Sequence, residues 1–191
     1  MLSRIAATAA FALLLAQAQP VRRNLTPNDF DSWRSIASQQ ISNDGAWIAY
    51  SVFPQVGNGE VVLRNIQTGK EKRIPAGALP IREVSDPNAE PSELGPQPIR
   101  GPVLQFTADS NFLLFQPFPL RAEIDAAKKA KKAADESPKN GLVIVTTATG
   151  AIFTSGQVKS FQLAETNPKI AVYQKDTKEK SLVIRDLPTG Q

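Results

Sequence analysis

Thirteen serines are spread through the 191 residues, but the chain contains no histidine and no cysteine. Histidine is the usual base that activates a serine hydroxyl, and cysteine is the strongest side-chain nucleophile and a soft metal ligand. A Ser-His-Asp triad cannot be assembled from this chain alone. No serine follows a glycine by two positions, so the G-x-S-x-G nucleophile elbow is missing. Disulfides and thiolate metal sites are excluded with the cysteines. Gly57-Asn58-Gly59 lacks the third glycine of a phosphate-binding loop and reads as a hairpin turn between two strands. Asp29 and Asp31 are a close carboxylate pair, but alternate spacing at a helix start points them apart. Asp44 and Asp109 fall at turn positions, where bonding to their own backbone explains them. No catalytic, cofactor-binding or metal-ligating residue is assigned, and no cofactor is expected.

One charge cluster stands out. Lys128, Lys129, Lys131 and Lys132 lie in the segment RAEIDAAKKAKKAADE (121–136), rich in Ala, Lys and acids, which reads as an exposed helix. The run could contact phosphate or lipid headgroups. The preferred reading is a solvated helical face, with Glu123, Asp125, Asp135 and Glu136 pairing at i, i+4. The formal charge of +4 is spread along the chain and points only weakly to an anionic partner. No nucleic-acid partner is expected.

These residues must be positioned by strands and turns. The first 20 residues open with Arg4, continue with an apolar run from Ile5 to Ala16, and end in Ala16-Gln17-Ala18. That is the anatomy of a cleaved signal peptide over 1–18. The run is well short of the roughly 20 residues needed to span a bilayer. Export to a periplasm or outside the cell is expected, with no membrane span after cleavage. An N-terminal helical segment is expected over 19–40. Within it LTPNDFDSWRSIA (25–37) reads as a short helix capped by Thr26, with Phe30, Trp33 and Ala37 on one face. Trp33 is read as packing into the core rather than touching a ligand.

A repeated pattern fills 41–191. Ser42-Asn43-Asp44-Gly45, Thr107-Ala108-Asp109-Ser110 and Glu165-Thr166-Asn167-Pro168 are turns. Each precedes an apolar strand: Trp47-Ile48-Ala49-Tyr50, Phe112-Leu113-Leu114-Phe115 and Ile170-Ala171-Val172-Tyr173. A second strand follows in each unit, at 61–66, 142–147 and 182–187, and each ends in a Thr-Gly turn. Paired strands recurring at a period of roughly 60 residues predict an all-β fold, a partial propeller of about three incomplete blades. Seven prolines make 75–102 a long extended loop, and a helical insertion is expected over 121–138.

Read together, ISNDGAWIAYSVFPQVGNGEVVLRNIQTGKEKRI, FTADSNFLLF, the Lys/Ala-rich insertion before LVIVTTATG, and GQVKSFQLAE resemble the N-terminal β-propeller of secreted prolyl oligopeptidase family serine peptidases of the dipeptidyl-peptidase and acylaminoacyl-peptidase kind. The resemblance runs from about Leu25 to the end. It implies a propeller that filters peptide substrates over an α/β-hydrolase domain carrying the catalytic Ser, Asp and His. No such domain is present before Gln191, so a truncated peptidase is expected and no family catalytic residue carries over. The implied partner is a peptide, met through that missing domain. The competing expectation is a stand-alone exported propeller-like module that binds a protein or peptide without catalysis.

Overall fold

The computed structural model describes residues 24–80 and 101–191. The signal-peptide reading of 1–18 and most of the proline-rich loop, 81–100, lie outside the described residues. The fold is all-β, a partial β-propeller made of three antiparallel meanders. The first sheet runs β1 (Arg34–Ile41), β2 (Trp47–Pro54), β3 (Gly59–Asn65), β4 (Glu71–Gly77) in sequence order. The second runs β5 (Leu104–Phe106), β6 (Phe112–Phe115), β7 (Leu142–Thr146), β8 (Ile152–Ser155). The third has β9 (Val158–Leu163), β10 (Ile170–Lys175) and β11 (Leu182–Asp186), with β10 in the middle. Among the described residues two helices are present and both are short, α1 (Pro27–Asp31) and α2 (Arg121–Lys129).

Side-chain alternation explains how the sheets stack. Leu113 and Phe115 of β6, with Val143 and Val145 of β7, pack against Ala49, Phe53, Val61 and Leu63 of the first sheet. The residues between them, Phe112, Leu114, Leu142 and Ile144, point the other way onto Val158, Ala171 and Tyr173 of the third. The central strands of the middle sheet, β6 and β7, are therefore buried on both faces, and all four residues of β6 are buried. This is why FLLF reads as a continuous apolar run rather than an alternating one.

The turns of the repeat hold as read. Ser42 Oγ donates to Asp44 and accepts from the Trp47 N–H at 2.9 Å. Thr107 Oγ1 does the same with Asp109 and the Phe112 N–H, at 2.6 and 3.1 Å. The first two turns also touch, because Asn43 Nδ2 donates to the Ala108 carbonyl and the Asp44 N–H to Ser110 Oγ, both at 3.2 Å. At the Thr-Gly turns, Asn65 and Asp186 accept from the N–H and hydroxyl of Thr68 and Thr189.

Five local expectations are corrected. The helix over 25–37 is only α1. The Asp29 carboxylate accepts the Thr26 N–H at 2.7 Å and its hydroxyl at 2.9 Å, but from Arg34 the chain pairs with β2 instead. Residues 34–41 thus belong to the first sheet and not to a helical segment ending at 40; cross-strand pairing overrides weak local helix propensity. Trp33 does not enter the core: it is 51% exposed and packs edge-on against Phe30, itself exposed, at 4.6 Å. The loop expected from 75 begins later, because β4 runs through Pro75 to Gly77. Pro75 is tolerated there because β4 is an edge strand, so its missing N–H removes little of the ladder. The insertion over 121–138 is helical only to Lys129; Lys131 takes a left-handed φ of 49° and ends it. The first two units are four-stranded sheets and the third has three strands.

Candidate functional site

Hydroxyl–carboxylate pairs are the first place to look for a nucleophile. Ser42–Asp44 and Thr107–Asp109 qualify by distance but not by chemistry. Ser42 is 3% exposed and Thr107 1%, and each hydroxyl is occupied by its carboxylate and a backbone N–H. These oxygens cannot reach a substrate. Asp29 and Asp31, flagged in the sequence, belong to the small helix α1, where Asp29 serves as its cap. Gly57-Asn58-Gly59 does form the β2–β3 hairpin, and Asn58 Oδ1 accepts the Arg121 N–H at 2.8 Å. Among the described residues there is no group of three or more side chains suited to holding a metal ion.

The turn carboxylates hold their protons weakly. Hydrogen bonds from Ser42 and from the Ala46 N–H lower the pKa of Asp44. At Asp109 burial pushes it up, but bonds from Thr107 and Asn111 outweigh burial and the net shift is downward. Asp186 is lowered by the Thr189 hydroxyl and N–H. A depressed folded-state value contributes stability that is complete above the ordinary carboxylate value of 3.8 and is lost as pH falls through the folded values. The melting temperature is therefore expected to fall as pH drops below 3.8, and Asp44→Asn/Asp109→Asn to flatten that fall. Melts across an acid pH series, followed by circular dichroism, check this. An equally steep fall in the variant would assign the acid sensitivity elsewhere.

The most developed polar surface lies on the outer face of the first sheet. Arg34 and Arg73 both reach Glu60 Oε1, at 3.0 and 2.6 Å. Arg73 also bonds Glu71 at 3.2 Å, and Arg64 bonds Glu71 at 3.0 Å. Five alternating charges thus cross the sheet in one ladder, with three guanidiniums sharing two carboxylates. The hydrogen bond to Glu60, and then its charge, raise the Arg73 pKa. Beneath the ladder Val62, in register with Tyr50 and Arg73, is fully buried. At one end of the ladder a groove of about 430 Å³ opens between Arg34, Glu60, Arg73 and Asn58, with Pro54 and Leu120 as apolar walls. Such a surface can hold an anionic or amide group reversibly; it carries no group able to attack one.

The ladder was not singled out in the sequence. Its signal was present: Glu60 and Arg64, and Glu71 and Arg73, keep even spacing along their strands and so share one face. Only the register of β3 with β4 puts the two pairs side by side.

No protein-family model matches the chain, and no curated protein matches it. Among solved structures it is similar to TolB from Acinetobacter baumannii, at 13% identity and a TM-score of 0.41. The match covers 82% of this chain and 31% of TolB, so the chain spans about a third of that protein. No helix among the described residues is long and apolar enough to cross a membrane.

Proposed function

We propose that this chain is the N-terminal propeller part of an exported serine peptidase that hydrolyses peptides, serving as scaffold and substrate filter. The observation that carries the reading is the stacking of three consecutive meanders, the central strands of the middle one buried on both faces, which is how neighbouring blades build a propeller. The apolar run at 5–16 followed by Ala16-Gln17-Ala18 supports export. Catalysis belongs to a hydrolase domain outside this sequence, since the chain has no histidine to serve as base. Purified chain is expected to release no product above background from peptide substrates, and clear hydrolysis would overturn the assignment of chemistry. An immunoblot of the native protein then separates the readings. A band several times larger than 20.7 kDa supports the peptidase.

The second reading is a stand-alone exported propeller-like module that binds a protein or peptide. The groove beside the Arg34–Glu60–Arg73 ladder favours it, because it offers hydrogen-bond donors and acceptors without a nucleophile. It expects a native band near 20.7 kDa and a cooperatively melting product.

A further inference from the structure

The connection between the second and third strands of each unit differs sharply in length. It is residues 55–58 in the first sheet and 176–181 in the third, but 116–141 in the second. This long insertion lies at the end of the stack where the equivalent connections sit, and it is tied to both. Arg121 N–H donates to Asn58 Oδ1 at 2.8 Å, and Lys139 Nζ lies 3.6 Å from Asp176. The Phe118 N–H and the Pro119 carbonyl bond Ala76 and Ala78 of the first sheet, both at 2.9 Å. Of α2 only Ala127 is buried, so most of the helix surface faces solvent.

The acids expected to neutralise the lysine run do not do so. Glu123 accepts the Leu120 N–H at 3.0 Å as a helix cap. Asp125 pairs with Arg121 at 3.0 Å. Among the described residues none of Lys128, Lys129, Lys131 and Lys132 has a carboxylate within ion-pair distance, and all four are exposed. Compensation of the helix dipole accounts for Lys128 and Lys129 in the last turn. It does not account for Lys131 and Lys132 beyond it. Their backbone is held nonetheless: the Lys131 N–H bonds the Lys128 carbonyl and the Lys132 N–H the Ala127 carbonyl, both at 3.1 Å.

We propose that this lysine finger is a peripheral docking surface for the anionic headgroups of a lipid bilayer. Four exposed ammonium groups within five residues of one insertion fit an extended anionic plane, each adding favourable attraction close to the surface. They do not enclose a small anion: the cavity beside them, about 630 Å³, is also lined by the Glu123 and Glu136 carboxylates, which repel one. Nor do they suit single-stranded nucleic acid, because residues 121–141 contain no aromatic side chain on which a base could stack. The inference is independent of the peptidase reading, since its readout involves no hydrolysis.

The test is co-sedimentation of the full chain with vesicles of equimolar phosphatidylcholine and phosphatidylglycerol, against phosphatidylcholine alone. Stronger binding is expected to the anionic vesicles than to the neutral ones, and the excess is expected to weaken as sodium chloride is raised. Lys128→Gln/Lys129→Gln/Lys131→Gln/Lys132→Gln is expected to lower the partition coefficient about 1,000-fold. Lys70→Gln/Lys169→Gln, which removes charge at the opposite end of the sheets, is expected to bind like wild type. The apolar run at 5–16 is common to all forms and acts on both vesicle types, so it cancels in the comparison. Equal binding to neutral vesicles, no salt dependence, or equal loss in the two variants would overturn the proposal. So would displacement by inorganic phosphate beyond that of chloride at matched ionic strength, which would indicate a free-phosphate site. The vesicle and salt comparisons use the unaltered chain and stand even where the fourfold variant folds poorly.

Discussion

Phe115→Ala is expected to destabilise the protein by about 3–5 kcal/mol, and Leu114→Ala by about 2–5 kcal/mol. Both side chains are fully buried, but on opposite faces of one strand. Phe115 fills the seam between the first and second sheets, and Leu114 the seam between the second and third. Each truncation leaves a cavity lined by two sheets, so neither sheet can close it without moving the other. Against a total stability typically near 5–15 kcal/mol, either loss is severe. Leu182→Ala, on the exposed side of the third sheet at 66% exposure, is the matched control and is expected to change stability by no more than about 0.5 kcal/mol. Urea unfolding followed by tryptophan fluorescence and by far-ultraviolet circular dichroism measures all three. If Leu114→Ala behaved like Leu182→Ala, the third sheet would not be packed on the second as described. Transitions that separated between the two probes would show the sheets unfolding one at a time.

The second large effect is expected at Gly77, the last residue of β4. Its φ is +72°, a conformation that side chains with a Cβ adopt at a cost of roughly 1–2 kcal/mol. A Cβ there would also run into the carbonyl of Phe118 and the oxygen of Pro119. Those are backbone atoms and cannot swing aside. They are also tied down, since Phe118 and Pro119 hydrogen-bond the residues on either side of Gly77. Gly77→Ala must therefore break the seam that anchors the base of the lysine finger to the first sheet. A loss on the order of 3 kcal/mol or more is expected. Gly45→Ala isolates the conformational part, because Gly45 has a similar φ of +68° with nothing within 4 Å of a new Cβ. Chemical denaturation of the pair reads the difference directly. Equal losses would mean that the close approach at 118–119 does not constrain β4.

Much of the architecture was legible along the chain. The central strands of the middle unit announce themselves by apolar runs, because strands covered on both faces need apolar residues at odd and even positions alike. The turns were legible because Ser42–Asp44, Thr107–Asp109 and the Thr-Gly pairs act over a few residues, and local hydrogen bonds leave local signatures. The flanking strands were not. β1 and β8 expose much of their surface and carry little apolar pattern, so nothing within them distinguishes strand from loop or, at 34–37, from helix. They become strands because a neighbour supplies hydrogen bonds and a register, and that energy is recorded in the partner rather than in the segment. The same holds for the candidate surfaces. The missing histidine and cysteine are matters of composition, and they bound the chemistry before any folding is considered. The ladder from Arg34 to Arg64 exists only because register sets Glu60 and Glu71 between arginines of three strands. The lysines from 128 to 132 read as neutralised by nearby acids. Folding assigned Glu123 to a helix cap and Asp125 to Arg121, and left those lysines without a carboxylate partner among the described residues. Residue type and spacing determined which groups the protein owns; tertiary geometry decided which of them are already engaged, because a charge can satisfy only the partners that the fold brings within a few ångströms.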